Sequence, residues 1–312
     1  MTLHERVTII ICTCDAYEDL WMPFFTLLRR YWDVGEIKII LNTETKDYSF
    51  EGLDIQCVHP PREMPYGARM LNALRYVKTD YVLPMLDDFF IRSAVDNGRI
   101  EQIIGWMDDD PDIVYFNCDI NTAYVDWEVD RYPGFRRLPT GNNYIMSMQA
   151  AVWRTHWLKR YWRPDVSPWE WEELCNIGSR KYKNHKYYCL TDIHNTFIDY
   201  GYNQKGMGVY RGGWVMEDVQ PLFEREGICA DFSRRGVYDP KKAYNILSME
   251  DTRKNRYSRV YRCLGWQELP GYFLFCRYQN MRRRLGKHTD YDYFVYLKKK
   301  TQKRFLKKYG MK

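Results

Sequence analysis

Residues 81–91 read Tyr-Val-Leu-Pro-Met-Leu-Asp-Asp-Phe-Phe-Ile, an apolar run interrupted by two adjacent carboxylates. Such a run predicts a buried strand, and the acids predict that it surfaces at its carboxyl end, where open α/β sheets place their ligands. Two neighbouring carboxylates there suit a divalent cation or a ribose hydroxyl, since both seek carboxylate oxygens. A strand ending in a solvated turn would show the same residues, so the flanking elements carry the decision.

Residues 7–12 have the β-branched density of a central strand covered on both faces. Thr13-Cys14-Asp15 follows as a turn, with Asp15 and Glu18 at capping-box spacing. Leu20, Trp21, Phe24, Leu27, Leu28 and Tyr31 then recur at helical spacing, and residues 37–41 form a second strand that ends at Asn42-Thr43-Glu44. Strand, helix and strand within about forty residues open a parallel, doubly wound sheet.

A short strand is expected at 54–58 and a helix at 67–77, with Met70, Leu71, Leu74 and Val77 on one face. After the acidic pair, Ile100, Ile103, Ile104 and Met107 mark another helix, stopped at Asp108-Asp109-Asp110-Pro111. That acidic triplet reads as a solvated turn rather than a metal site. Residues 113–116 are an expected strand, and the long aromatic, Pro- and Gly-bearing segment 118–142 an expected lid or binding loop. A strand at 144–149 and a helix at 150–162 follow. The expected fold class is α/β, a Rossmann-type, mostly parallel central sheet flanked by helices in a catalytic domain over residues 1–240, with a basic C-terminal helical extension over 241–312.

The charge distribution separates those two parts. Residues 251–312 hold 18 Lys and Arg against 4 Asp and Glu, net +14, whereas residues 1–250 are net −8. A basic segment attached to an acidic body points to an anionic surface as partner. Met281-Arg282-Arg283-Arg284 and the mixture of cations with Tyr291, Tyr293, Phe294, Phe305 and Leu306 fit an interfacial segment on an anionic membrane; a solvated helical face is the alternative. The nine cysteines are scattered without a Cys-x-x-Cys pair, which excludes a disulfide framework and a zinc ribbon and suits a reducing compartment. No apolar run is long enough to span a bilayer. The short apolar run at 7–11 leads at once into Asp15, Glu18 and Asp19, unlike a signal peptide. The expected location is the cytoplasm, peripheral on the inner face of the membrane. Aromatic residues, 17% of the chain, suit stacking on sugars or bases as well as a large core.

In order and spacing, Thr8-Ile9-Ile10-Ile11-Cys12-Thr13, Gly67-Ala68-Arg69, residues 81–91, Ser147-Met148-Gln149-Ala150-Ala151-Val152-Trp153 and Ser167-Pro168-Trp169-Glu170-Trp171-Glu172-Glu173 resemble the GT-A glycosyltransferases, in particular bacterial family-2-type enzymes of surface polysaccharide synthesis. The resemblance spans roughly residues 5–235. It implies a GT-A-like fold, a nucleotide-sugar donor such as a UDP-sugar, and a glycan or lipid-linked acceptor. It further implies that Asp87 and Asp88 contact the donor and a Mn²⁺ or Mg²⁺ ion, and that Thr13, Asp15 and Glu44 line the base and ribose pocket. Phe89 stands where the usual Asp-x-Asp has its last acid. Arg69 would carry phosphate charge, or else pair with a nearby acid as a surface helix residue. The glycines at 206, 208, 212 and 213 resemble a later loop near donor phosphate or acceptor, and His194 a late metal ligand.

An acceptor hydroxyl needs a carboxylate base for direct, inverting displacement, and the resemblance puts an acid near residues 167–173. Glu172 is the first choice. Glu170 is second because it also fits a capping box with Ser167, and Glu173 is third. Trp169 and Trp171 would desolvate that base or stack on the acceptor. The competing readings are a nucleotidyltransferase, disfavoured because no glycine-rich loop with a following Lys succeeds the first strand, and a nucleic-acid-binding module, which would use the basic tail but leave the acids unexplained. Nucleic acid is not an expected partner.

Overall fold

The computed structural model describes residues 2–120, 132–138, 145–162, 164, 166–168, 171, 172, 179, 182, 184–191, 196–200, 208–239 and positions 274, 277, 281 and 285. A sheet of eight strands forms its centre. In chain order these are β1 (Val7–Cys12), β2 (Lys38–Asn42), β3 (Ile55–Val58), β4 (Tyr81–Leu86), β5 (Ile113–Ile120), β6 (Phe135–Leu138), β7 (Ala151–Arg154) and β8 (Lys186–Leu190). Their spatial order is β3-β2-β1-β4-β7-β5-β8-β6. The first four are mutually parallel, β7 runs antiparallel to both β4 and β5, and β6 is antiparallel to β8. The expected class, a mostly parallel central sheet flanked by helices, is the one observed.

Strand β1 shows why both faces must be covered. All six of its residues are buried, and alternation sends successive side chains to opposite sides. Ile9 and Ile11 enter one core with Leu20, Phe24 and Leu28 of α2 (Glu18–Tyr31), Ile100 and Ile104 of α4 (Asn97–Asp109) and Leu222 of α6 (Met216–Glu226). Ile10 and Cys12 enter the other with Met70 and Leu74 of α3 (Tyr66–Leu74) and Leu158 of α5 (Thr155–Tyr161). Removing the five apolar side chains of this one strand from water is worth roughly 10 kcal/mol before chain entropy is counted.

Chain order around β1 fixes where a ligand can go. From β1 the chain moves outward to β2 and β3, then returns to lay β4 on the other side of β1. Loops leaving β1 and β4 therefore diverge, and a crevice opens at their carboxyl ends, the topological switch point of doubly wound sheets. Strand β4 tolerates Pro84 in a central position because its ladder to β7 covers only Tyr81 and Val82.

Three local expectations are corrected. The strand expected at 144–149 and the helix at 150–162 are displaced: residues 145–150 form no strand, the strand is β7, and α5 starts only at Thr155. Pairing of Ala151–Trp153 with β5 and of Trp153 and Arg154 with β4 overrides the helical preference of two alanines. Within the expected lid at 118–142 lies β6, paired along its whole length with β8. Finally, α3 ends at Leu74, three residues short of the expected helix.

Candidate active site

The carboxyl ends of β1 and β4 meet through one hydrogen bond. Thr13, the first residue beyond β1, donates its hydroxyl to Asp87 Oδ2, the first side chain beyond β4, and accepts the Trp21 indole N–H at 2.8 Å. Asp87 is 3% exposed. Burial and the adjacent Asp88 charge push its carboxyl well above the usual carboxylate range, against the pull of Thr13.

Asp88 differs. The residue is half-buried, yet its Oδ1 is shielded and has no hydrogen-bond partner among the described residues. Burial pushes its carboxyl up to about 7, with Arg235 pulling the other way. The sequence predicts both acids exposed in a cleft; instead Asp87 is buried against Thr13, and Asp88 is half-buried with one shielded oxygen that has no hydrogen-bond partner among the described residues.

The other four residues named from the sequence form the neighbouring wall, through different bonds from those expected. Arg69 is no surface residue: it is 9% exposed, pairs with Glu44 at 3.0 Å, and gives its other terminal nitrogen to the carbonyls of Thr13 at 3.1 Å and Thr43 at 3.3 Å. It thus ties the β1 loop to the β2 loop. Asp15 does not cap α2, whose N-cap Tyr17 makes no side-chain bond. Its carboxylate instead receives the Glu44 and Thr45 backbone N–H groups, each at 3.0 Å, and the Thr45 hydroxyl. Partial burial alone would raise the Asp15 carboxyl; these bonds, with the Lys46 amide, outweigh it and hold it below the usual range. The Asp15 N–H returns to Glu44 Oε2 at 3.3 Å.

A third wall comes from the later glycine segment. Gly208 N donates to the Asp88 carbonyl at 2.6 Å, and a Cβ there would lie 2.3 Å from Phe90 Cε2 and 3.0 Å from that carbonyl, so only glycine lets the strand pair β9 (Val209–Tyr210) and β10 (Gly213–Trp214) approach the acids. Beside it, Arg235 bonds Asp19 through two nitrogens, donates to the Ala16 carbonyl at 3.1 Å, and lies 4.6 Å from the Tyr17 ring centroid and 5.7 Å from that of Trp214. Sequence reading missed Arg235; its signal, two adjacent arginines before Gly236, is common in exposed turns.

On the opposite side, Glu172 Oε1 accepts the Met148 N–H at 2.8 Å. Met148 precedes β7, and antiparallel pairing turns that end of β7 toward the carboxyl end of β4. Trp171 is 2% exposed and stacks on Trp162 at 4.5 Å, so it is a core residue and not an acceptor platform. Glu170, Trp169, Glu173, His194 and Gly206 lie outside the described residues.

A divalent cation fits this arrangement in one respect: the shielded Asp88 oxygen is a hard ligand without a partner among the described residues. No group of three or more His, Cys, Asp or Glu side chains that could hold a metal occurs among the described residues. An ion at Asp88 would therefore complete its shell from the phosphates of a ligand, the manner in which Mg²⁺ is often held.

No protein-family model matches this chain, and no curated protein matches it. Solved structures do. The chain is similar to Staphylococcus aureus TarS, at 13% identity over 62% of this chain with a TM-score of 0.39, and it spans only 38% of that TarS chain. Against TarS 1-349 it is 12% identical over 92% of this chain and 94% of that one, with a TM-score of 0.41; for TarS 1-349 in complex with UDP-GlcNAc the identity and coverage are the same and the TM-score is 0.45. Likeness at that level carries nothing about chemistry, which rests on the crevice itself.

Proposed function

We propose that this chain is a glycosyltransferase that moves a sugar from a nucleotide-sugar donor, in the first instance a UDP-sugar, to a glycan or lipid-linked acceptor. The observation that carries the reading is the junction of Thr13 and Asp87 across the switch point, with the shielded Asp88 oxygen, unpartnered among the described residues, beside it. Donor diphosphate and ribose occupy the crevice between the β1 and β4 loops. The Arg69–Glu44–Asp15 framework holds the wall along which the nucleoside lies. A cation at Asp88, when bound, neutralises charge on the departing diphosphate.

Glu172 is the proposed general base, with Glu170 second. A carboxylate fixed by a backbone N–H keeps its position beside the acceptor hydroxyl, and one base without a second nucleophile gives inversion. The decisive experiment is donor hydrolysis and transfer over UDP-, GDP-, TDP- and CMP-sugars with and without Mn²⁺. Turnover of one donor with inverted product is expected; failure of every nucleotide sugar to bind would overturn the reading, and a retained configuration would overturn the single-base mechanism.

The same reading places the enzyme peripherally on an anionic membrane. No helix among the described residues is long and apolar enough to cross a bilayer. Of the C-terminal segment, Leu274, Arg277 and Met281 are helical and exposed, and Leu285 is an exposed turn residue that bonds back to the Met281 carbonyl. The helical spacing of three and four puts Leu274, Arg277 and Met281, two apolar side chains and one cation, on one face, with exposed Leu285 beyond them, which supports an interfacial role.

A further inference from the structure

If the donor reading holds, its diphosphate needs a cationic partner, and the geometry bars the obvious candidate. Both terminal nitrogens of Arg69 are occupied by Glu44 and by two backbone carbonyls. Turning that guanidinium toward a phosphate would take from the largely covered Glu44 carboxylate its cationic partner and unlatch the β1 and β2 loops, a costly rearrangement. Arg69 is therefore a positioning residue of the crevice wall.

Arg235 stands differently. The segment carrying it is built onto the acidic loop in three steps: Gly208 N bonds the Asp88 carbonyl, Val215 N bonds the Gly208 carbonyl at 3.0 Å, and Trp214 N bonds the Gly236 carbonyl at 2.9 Å. From there the Arg235 side chain reaches across to the turn after β1, where Asp19, the Ala16 carbonyl and the Tyr17 ring receive it. It thus bridges the two lips of the switch-point crevice. Its Nε and Nη2 make those bonds, while Nη1 makes none among the described residues. Its side chain is 9% exposed, so the charge is held in a largely desolvated place. Tyr17, beneath it, also feels Asp88 and Asp87, consistent with a single compact electrostatic cluster. We infer that Arg235 is the donor-phosphate residue of this enzyme: its Nη1 edge meets the diphosphate of the nucleotide while Asp19 and Tyr17 hold its other edge fixed. Arginine suits this because its fork binds oxyanions at one edge while the other stays paired.

This assignment depends on the donor reading, and the test separates the two. Wild type is titrated calorimetrically with UDP, GDP and TDP and with the matching nucleosides; Arg235→Gln, Arg235→Lys and Asp19→Asn are then titrated with the pair that binds. Arg235→Gln is expected to weaken the nucleoside diphosphate by about tenfold or more while leaving the nucleoside within about twofold. Arg235→Lys should recover part of the loss, and Asp19→Asn, which keeps the cation, should cost less than Arg235→Gln. Equal diphosphate affinity in wild type and Arg235→Gln would overturn the assignment. So would a parallel loss of nucleoside and diphosphate in both Arg235 variants, because Arg235 would then only hold the turn. A wild type that binds none of the diphosphates would instead refute the donor reading on which the inference stands.

Discussion

The two halves of the sheet are stabilised by different chemistry. In the parallel half, β3-β2-β1-β4, the aliphatic strands are covered by helices and the loops at one end join Thr13, Asp87, Arg69, Glu44 and Asp15 through polar bonds, with Asp88 beside them. The mixed half, β7-β5-β8-β6, is joined by aromatic rings. Trp153 lies 4.5 Å from Tyr115 and 5.9 Å from Trp171, while Phe116 stacks on Tyr188 at 4.8 Å and meets Phe135 at 4.9 Å. The aromatic richness that could have served ligand stacking serves packing here. The residues proposed to meet the donor lie at the end of the first half, while the second supplies packing and carries the proposed base, Glu172.

The contrast is most exposed to test in its second half. Trp153→Ala opens a void beneath fully buried rings and should destabilise the protein by about 3–5 kcal/mol in urea unfolding, with any loss of activity tracking the unfolded fraction. A selective loss of donor binding in a stably folded Trp153→Ala protein would break the division. Glu172→Gln should retain donor affinity and thermal midpoint yet lose transfer by about 10²-fold or more; near-normal transfer in both this variant and Glu170→Gln would remove the proposed base.

Gly208→Ala sits at the border between framework and site. Its Cβ would overlap the Phe90 ring, itself packed on Trp214 and Phe223, and should cost about 1–3 kcal/mol while weakening donor binding by displacing the Asp88 loop. An unperturbed variant would mean that the hairpin does not hold the acids. A further effect concerns pH. Burial pushes the His185 imidazole down to about 4, and its Nδ1 lies 3.0 Å from the Tyr161 hydroxyl. Below the ordinary histidine value the unfolded chain takes up a proton that the folded one refuses, so stability should fall as pH drops from about 6.5 through about 4 and level off below. His185→Gln should flatten that limb; an unchanged slope would place the acid sensitivity elsewhere.

Much of the parallel half was legible in the sequence because each strand there is bounded by a change of pattern: β-branched runs ending at Thr13, at Asn42 and at Asp87. The site residues were legible as positions but not as partners. Asp15 and Glu18 have capping-box spacing, yet the β2 loop passes close enough to offer Asp15 its own amides, a long-range fact that local spacing cannot carry. Arg69 could be placed on a helix, but which acid it faced depended on how α3 lies against β2. In the mixed half the apolar stretch from Ile145 to Trp153 admitted a strand in several places, and only pairing with β4 and β5 selected Ala151–Arg154. Arg235 was invisible because it reaches the site from a turn far along the chain.

The central claim is that Asp88 holds the donor at the switch point while Asp87 belongs to the framework. Donor affinity of wild type, Asp88→Asn and Asp87→Asn, measured by calorimetry beside their thermal unfolding, tests it most directly. Asp88→Asn should unfold at or above the wild-type temperature, since it removes a buried charge that has no hydrogen-bond partner for its Oδ1 among the described residues, and should bind the nucleotide sugar at least about tenfold more weakly. Asp87→Asn should lose stability through its bond to Thr13. Wild-type donor affinity in a folded Asp88→Asn protein would contradict the account.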